Sequence, residues 1–349
     1  MGSFSSWFSQ RFSISGKDVQ ETFNEPLPGH MRHWWFCLGG APMYLFFIQL
    51  ITGILLCFYY ETSATKAYES VRYITENVSF GWYIRNTHKW GATLMVAAVI
   101  LHQIRVFFTG AYRKPRELNW IIGMLLLTCT LMLGFTGYSL VYEQLSYWGV
   151  TVSANITESI PIIGPTLKNF MLGGEQYNEY TLSRFFIIHA AILPVAVCLL
   201  VAIHIGIARI QGISNLQFKR PTPEDEKPFN LIPDHLYTEL IVGLVIMVII
   251  TVLATVFPAP LGPKADPTTT PEVIKPEWFF FTMYRWLKLF SRTTALLSSG
   301  AIILIMFAWP FIDASIRKRT RFKEASVWIG IFVVFCIVFL TMWEALVEH

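Results

Sequence analysis

Charged residues are scarce in this chain of 349 residues. They make up only 14% of the sequence, whereas 54% of the residues are hydrophobic. A soluble domain carries about 25% charged residues, so the composition excludes an ordinary soluble protein and predicts a membrane protein. The net charge of +4 is also too small to indicate a nucleic-acid partner.

The sequence has no Cys-X-X-Cys pair. Its five cysteines are scattered singly at Cys37, Cys57, Cys129, Cys198 and Cys336. This spacing indicates neither a disulfide framework nor a zinc site, and it offers no ligand set for an iron–sulfur cluster.

The N-terminus lacks the apolar core and the small-residue cleavage site of a signal peptide. Residues 1–34 are instead polar and aromatic, as in the stretch SSWFSQRF. We interpret them as an amphipathic segment that lies on the membrane surface.

Long apolar runs are abundant. A helix that crosses a membrane needs about 20 predominantly apolar residues. Seven stretches qualify, so we predict an all-α membrane protein with about seven transmembrane helices. The stretches are 35–60, 86–110, 119–141, 182–210, 236–257, 294–314 and 326–346.

Basic residues are concentrated in every second connection between these stretches. Arg113, Lys114 and Arg116, for example, lie between the second and the third stretch, on the same side as the N-terminus. By the positive-inside rule this side is the cytoplasmic n side. The C-terminus is then expected on the opposite p side.

Four histidines lie inside two of the stretches. His88 and His102 are 14 residues apart in the second, and His189 and His204 are 15 apart in the fourth. In a regular α-helix, two residues at these spacings point to within about 40° and about 60° of the same direction. They lie about 21–22 Å apart along the helix axis. The two stretches run in the same direction, so the histidines form two level pairs. One such histidine alone is often a hydrogen-bonded core residue, but two matched pairs predict two haem b groups, each with two histidine ligands to iron.

Arginines and glycines accompany these histidines. Arg85 and Arg105 lie three residues from His88 and His102, where they would neutralise haem propionates or simply anchor the helix at the membrane surface. Glycines recur at 14-residue spacing in the first and third stretches, where a missing side chain lets a flat ring approach the backbone. They are Gly39, Gly53, Gly123 and Gly137. We therefore predict that the first four helices form a dihaem four-helix bundle.

Several motifs resemble the cytochrome b of quinol-oxidising cytochrome bc complexes. Within residues 35–215, FCLGG, FGWYIRNTHKW, RKPRELNW, GFTGYSL and IARIQGIS are similar to cytochrome b6, as is the 15-residue histidine spacing. Residues 230–349 are similar to its partner polypeptide, subunit IV, and we place the boundary between the two domains after residue 215. The resemblance implies a b6-like four-helix dihaem domain joined in one chain to a subunit IV-like three-helix domain.

The motif KPEWFF, between the fifth and sixth stretches, resembles the Pro-Glu-Trp-Tyr motif of the family's quinol oxidation site. The resemblance implies that Glu277 is the catalytic residue that accepts a proton from quinol, in a site with Pro276, Trp278 and Phe279. The family has tyrosine at the position of Phe279, so this chain lacks a phenolic hydroxyl there.

The motif FCLGG places Cys37 where the b6 branch has a cysteine with a single thioether bond to an extra c-type haem. The resemblance implies a covalent haem on Cys37, and Arg209 matches a basic residue near it. The alternative is that Cys37 is a buried apolar side chain, our interpretation of the other four cysteines.

The resemblance implies the cytochrome b subunit of a quinol:cytochrome c (or plastocyanin-like) reductase. Such a subunit oxidises quinol at the p side and passes electrons through two b haems to an n-side quinone site in a Q cycle, contributing to the proton-motive force. The implied partners are a Rieske iron–sulfur protein, a c-type cytochrome subunit and membrane quinone, in a homodimeric complex of a prokaryotic energy-transducing membrane.

Two other classes of protein remain open at this point. A dihaem membrane anchor of a respiratory dehydrogenase would have no need of the KPEWFF loop or of the last three stretches. A transporter with intramembrane histidines would show no haem absorption.

Overall fold

A computed structural model describes residues 26–212, 214, 227, 229–319 and 324–347. Within them, seven helices are long and apolar enough to cross a membrane, as predicted. We label these α1 (Gly40–Cys57), α3 (Gly81–Phe108), α4 (Glu117–Ser139), α7 (Glu179–Gln211), α8 (Leu236–Val256), α10 (Arg292–Arg319) and α11 (Ala325–Leu346).

In the described parts of the connections lie four shorter α-helices, which the length criterion did not reveal. They are α2 (Ala67–Glu76), α5 (Gln144–Glu158), α6 (Gly164–Leu172) and α9 (Phe281–Leu289). Glu143 and Asn178 are the N-cap residues of α5 and α7, and each forms a capping box. A capping box gives hydrogen-bond partners to backbone N–H groups in the first turn, which have none within the helix.

The first four long helices form the expected bundle. Helix α1 packs along α3, and α4 packs along α7, while α3 also contacts α4. Apolar side chains from three of these helices and from α8 meet in one core that includes Leu45, Met95, Val197 and Ile250. Many large apolar side chains face outwards, as expected for helices whose backbone polar groups are satisfied internally and whose surface meets lipid.

Helix α7 contains one irregular turn, at a position that bears on the histidine spacing. Ile188–Ile192, which include His189, form a π turn. A π turn takes up about one residue more than an α-helical turn. The turn therefore absorbs the extra residue of the 15-residue spacing, so that His189 and His204 share a face more closely than a regular helix would allow.

The last three long helices pack on this bundle. Helix α8 contacts α1 and α3, and α10 contacts α4. A buried ion pair fixes α10 at one end, where Nε of Arg113 donates to Oδ2 of Asp313 at 2.9 Å and its Nη2 donates to Ser326 at 3.1 Å. Removing one partner of such a buried pair typically lowers the free energy of unfolding by about 3–5 kcal/mol. The pair therefore favours one way of packing α10 and α11 against the connection after α3.

The predicted surface segment and the predicted domain boundary lie mostly beyond what the structure describes. Residues 1–25 of the segment 1–34, and the boundary between residues 215 and 216, are outside the described residues. The described start of the chain, Pro26–Leu27, pairs antiparallel with Phe229–Asn230, just before α8.

Candidate functional site

The four histidines face each other as two pairs between α3 and α7. The ring centres of His88 and His189 are 6.2 Å apart, and those of His102 and His204 are 6.4 Å apart, with 75° between the ring planes in both pairs. Two imidazoles that share one metal ion through bonds of about 2.0 Å have ring centres about 6.3 Å apart. Both pairs therefore have the separation that a haem iron between them requires.

Threonines orient the rings of one pair. The Thr52 hydroxyl lies 2.8 Å from Nδ1 of His88, and the Thr136 hydroxyl lies 3.1 Å from Nδ1 of His189. Both hydroxyls also donate to backbone carbonyls of their own helices. A hydroxyl that already donates its proton accepts one from the ring, so Nδ1 carries the hydrogen and Nε2 is left free to bind iron.

The two arginines have different surroundings. Arg85 donates to the carbonyl oxygens of Ala259 and Pro260, at 2.8 and 3.0 Å, and so holds the loop after α8. Arg105 makes no ion pair among the described residues, and its Nε is buried without a hydrogen-bond partner there. Nη2 of Arg105 lies 3.3 Å from Nδ1 of His102. A partly buried guanidinium with no anion among the described residues fits a site for a carboxylate such as a haem propionate.

Each of the four predicted glycines lies beside one of the four histidine rings. The pairs are Gly39 with His102, Gly53 with His88, Gly123 with His204, and Gly137 with His189. A Cβ built on the glycine would lie 3.3–3.5 Å from the histidine Cε1 in the first three pairs and 2.6 Å away in the last. The missing side chain is therefore required for the ring only at Gly137, is a close fit at Gly53, and is not required at Gly39 or Gly123.

This difference predicts unequal effects of two matched substitutions. Gly137→Ala should push the His189 ring aside, and the haem b content of the purified protein should fall towards half. Gly123→Ala meets His204 at an ordinary contact distance of 3.5 Å and should keep the full content. Haem per chain, measured from the pyridine haemochromogen spectrum, distinguishes the two variants. Equal retention in both would show that the close approach at Gly137 has no consequence.

Cys37 lies at the same end of the bundle as His102. It is fully buried in the short 3-10 helix Trp34–Gly39 that leads into α1. Gly39, two residues later, contacts the His102 ring. Arg209 lies in the last turn of α7, five residues beyond His204. The structure thus places both predicted residues at the His102 end.

Glu277 lies at the opposite end, where its carboxylate forms an ion pair with Lys89. Lys89 follows His88 directly in the chain, so the KPEWFF loop approaches the His88–His189 pair. The sequence analysis did not identify Lys89, although a lysine inside an apolar run signals that a partner is needed. Phe279 packs against α4, where its Cζ would lie 2.9 Å from a Cβ built on Gly134.

The end of α11 holds both flanks of the Glu277 loop. At the start of the motif, Lys275 donates to the carbonyl oxygens of Glu344 and Val347, at 3.2 and 2.7 Å. After it, Arg285 and Lys288 of α9 contact the fully buried Glu344 carboxylate, at 3.5 and 3.3 Å. These contacts between distant parts of the sequence fix the loop on either side of Glu277.

Comparisons with known proteins match the chain to the cytochrome b family. Residues 22–212 match the family model described as cytochrome b/b6/petB, and residues 264–348 match the model cytochrome b(C-terminal)/b6/petD. Cytochrome b6 of Heliomicrobium gestii is 43% identical over 209 residues, which cover 60% of this chain and 98% of that protein. Cytochrome b6 of Synechocystis sp. is 40% identical over 210 residues, which cover 60% of this chain and 93% of that protein. A chain of the solved structure titled hyperthermophilic respiratory Complex III superposes with a TM-score of 0.81 at 26% identity, covering 99% of this chain and 92% of that one.

Proposed function

Since this chain belongs to the cytochrome b/b6 family and joins the b6 part to the C-terminal, subunit IV-like part, we propose that it oxidises quinol near Glu277 and reduces quinone at the His102 end. Members of this family are redox subunits of bc-type complexes with haem b as cofactor. The finer proposal is a quinol:cytochrome c, or plastocyanin-like, reductase that works by a Q cycle and contributes to the proton-motive force.

The observation that carries the proposal is the pair of histidine pairs at opposite ends of one bundle. His88 and His189 would hold one haem iron, and His102 and His204 the other. Bound haem supplies one-electron transfer between the two ends. The chain itself would contribute ring nitrogens of the four histidines, with Nε2 left free in His88 and His189, and the cationic Arg105 for a propionate.

Glu277 would act on the proton of the quinol. Quinol oxidation releases two protons with two electrons, and a carboxylate near the reacting hydroxyl can take one of them. In the structure Lys89 compensates the charge of this carboxylate. Protonation of Glu277 would cancel that attraction and release the side chain from Lys89, so that it could carry the proton away. Pro276, Trp278 and Phe279 would form the apolar part of this quinol site.

Cys37 is proposed to hold a covalent c-type haem at the His102 end, near Arg209. A thioether bond survives denaturation, whereas histidine-ligated haem b depends on coordination and packing. We therefore expect haem stain at the position of this chain on a denaturing gel. Cys37→Ala should erase the stain while both b haems remain in the absorption spectrum. An unstained wild-type band, or stain that persists in Cys37→Ala, would remove this proposal.

The relatives imply a Rieske protein and a cytochrome as partners in general terms. We propose that these are a Rieske iron–sulfur protein and a c-type cytochrome subunit, in a homodimeric complex of a prokaryotic membrane, with the N-terminus on the n side and the C-terminus on the p side. We also propose the division into a surface segment 1–34, a b6-like domain 35–215 and a subunit IV-like domain 216–349. A dehydrogenase anchor is not favoured, because the C-terminal match covers the loop and helices that such an anchor does not need.

The function is tested with the purified complex, a short-chain quinol and a soluble c-type cytochrome or plastocyanin. Reduction of the acceptor should require quinol and should saturate with its concentration. The proposal would be contradicted if the absorption spectrum showed haem b that quinol does not reduce and the acceptor also stayed oxidised.

A further inference from the structure

A glutamate side chain is fully buried in the last turn of α11, one of the helices that cross the membrane. The carboxylate of Glu344 is 0% exposed, and the proposed function assigns it no role. Burying an ionisable side chain in a membrane helix is costly unless partners surround it, and such residues are commonly functional. The contacts of Glu344 are therefore informative about the site beside it.

Two cations of α9 reach this carboxylate from a distant part of the sequence. Nη1 of Arg285 lies 3.5 Å from its Oε2, and Nζ of Lys288 lies 3.3 Å from its Oε1. The Arg285 side chain is only 13% exposed, and its guanidinium lies over the Trp343 ring, 3.9 Å from the centroid. One carboxylate thus holds both cations of α9 against the end of α11.

The segment before Glu277 is joined to the same turn of α11. Nζ of Lys275 donates to the backbone carbonyl oxygen of Glu344 at 3.2 Å. The Tyr284 hydroxyl of α9 donates to the carbonyl oxygen of Ile274 at 2.7 Å. The segment before Glu277 and the helix after it are therefore fastened to each other and to α11.

Glu277 lies between these two anchors. It follows Lys275 by two residues, and the 3-10 helix Trp278–Phe280 connects it directly to α9. Its carboxylate forms the ion pair with Lys89 of α3. Because α9 continues from that short helix, a movement of α9 away from α11 would also move Glu277.

We infer that Glu344 is a positioning residue for quinol oxidation, which holds Arg285 and Lys288 and thereby keeps Glu277 at the correct distance from the quinol. This inference rests on the proposed function. Without the carboxylate, two cations would remain in a largely buried junction with no anion to compensate them. Such an arrangement is strongly destabilised, so α9 would move outwards until water reaches the cations. Glu344 itself takes up no proton from quinol.

The first experiment compares Glu344→Gln, Glu277→Gln and the double variant in the purified complex with a short-chain quinol. A displacement of about 1 Å can slow a reaction about 100-fold, and we expect Glu344→Gln to slow quinol-driven reduction of haem b about 10-fold. Haem b content should stay at the wild-type level. In the Glu277→Gln background, the same substitution should change the rate less than about 2-fold, because the group that it positions is already gone.

A second variant separates holding α9 from any need for the charge itself. The triple variant Glu344→Leu, Arg285→Met and Lys288→Met replaces the buried charges by apolar side chains, which often preserves stability. It should recover most of the rate that Glu344→Gln loses. Backbone hydrogen exchange in α9 should rise in Glu344→Gln and return to the wild-type level in the triple variant. Glu324→Gln, at the exposed opposite end of α11, is the matched control and should behave like the wild type.

A milder substitution covers the case in which Glu344→Gln does not retain haem b. The Lys288 side chain is 32% exposed, so its loss should disturb assembly less. Lys288→Gln should slow haem reduction about 3-fold, again only while Glu277 is present. A wild-type rate in Lys288→Gln would then count against the inference.

Three results would overturn the inference. In the first, Glu344→Gln reduces haem b as fast as the wild type. In the second, Glu344→Gln slows the reaction equally with and without Glu277, which would show that it acts on another group. In the third, the triple variant is as slow as Glu344→Gln, which would show that the carboxylate does more than hold α9. Failure of the proposed function looks different, because wild-type haem would then show no quinol-driven reduction at all.

Discussion

Replacing His102 with leucine is expected to remove one haem b and to leave the other in place. His102 and His204 face each other across 6.4 Å, and the other pair belongs to a separate layer of the bundle. A leucine offers no ligand to iron, so the haem b content should fall by about half. Haem per chain and a redox titration of the remaining absorption band measure the effect.

A second variant serves as the control for shared ligation. If His102 and His204 bind the same iron, the double variant should lose no more haem than either single variant, because the two substitutions remove one site. Loss of both haems from a single variant that still inserts into the membrane would contradict separate sites. Additive losses in the double variant would contradict shared ligation.

Replacing Glu277 with glutamine is expected to slow quinol oxidation about 100-fold, a typical contribution of a positioned general base. The amide has nearly the same shape but cannot take a proton, and it loses the ion pair with Lys89. Haem content should not change, because Glu277 touches neither histidine pair in the described residues. The measurement is the rate of haem reduction by quinol in a single turnover across a range of pH.

Glu272→Gln is the matched control for this prediction. Glu272 lies in the same loop but is exposed, and it should therefore leave the rate unchanged. A wild-type rate and pH profile in Glu277→Gln would remove this carboxylate from the mechanism. An equal slowing in both variants would indicate a general effect on the loop rather than proton transfer.

The transmembrane part of the fold could be predicted because length and apolarity alone decide whether a helix spans a membrane. All seven predicted spans were confirmed, although their ends moved; the second begins at Gly81 rather than near residue 86. The short helices α2, α5, α6 and α9 were missed, because their sequences are mixed in polarity and too short for that criterion. The π turn at His189 was missed as well, although the unequal histidine spacings were a signal of it.

The site was predictable where one residue type must supply a ligand, and less so where contacts between distant segments matter. The two histidine pairs followed from spacing and helix direction. The partner of Glu277 did not, since Lys89 lies on another helix and only the fold brings the two together. The hydrogen bonds from Arg85 to the loop carbonyls could not be predicted either. Every residue carries a backbone carbonyl, so the sequence does not indicate which ones accept.

Rapid mixing of the His102→Leu complex with quinol tests the central claim most directly, namely that electrons enter at the His88 end and leave at the His102 end. The remaining haem should be reduced by quinol at the wild-type rate, and it should then stay reduced when quinone is present. Re-oxidation by quinone at the wild-type rate would contradict the account, because it would show that electrons leave without the His102–His204 site.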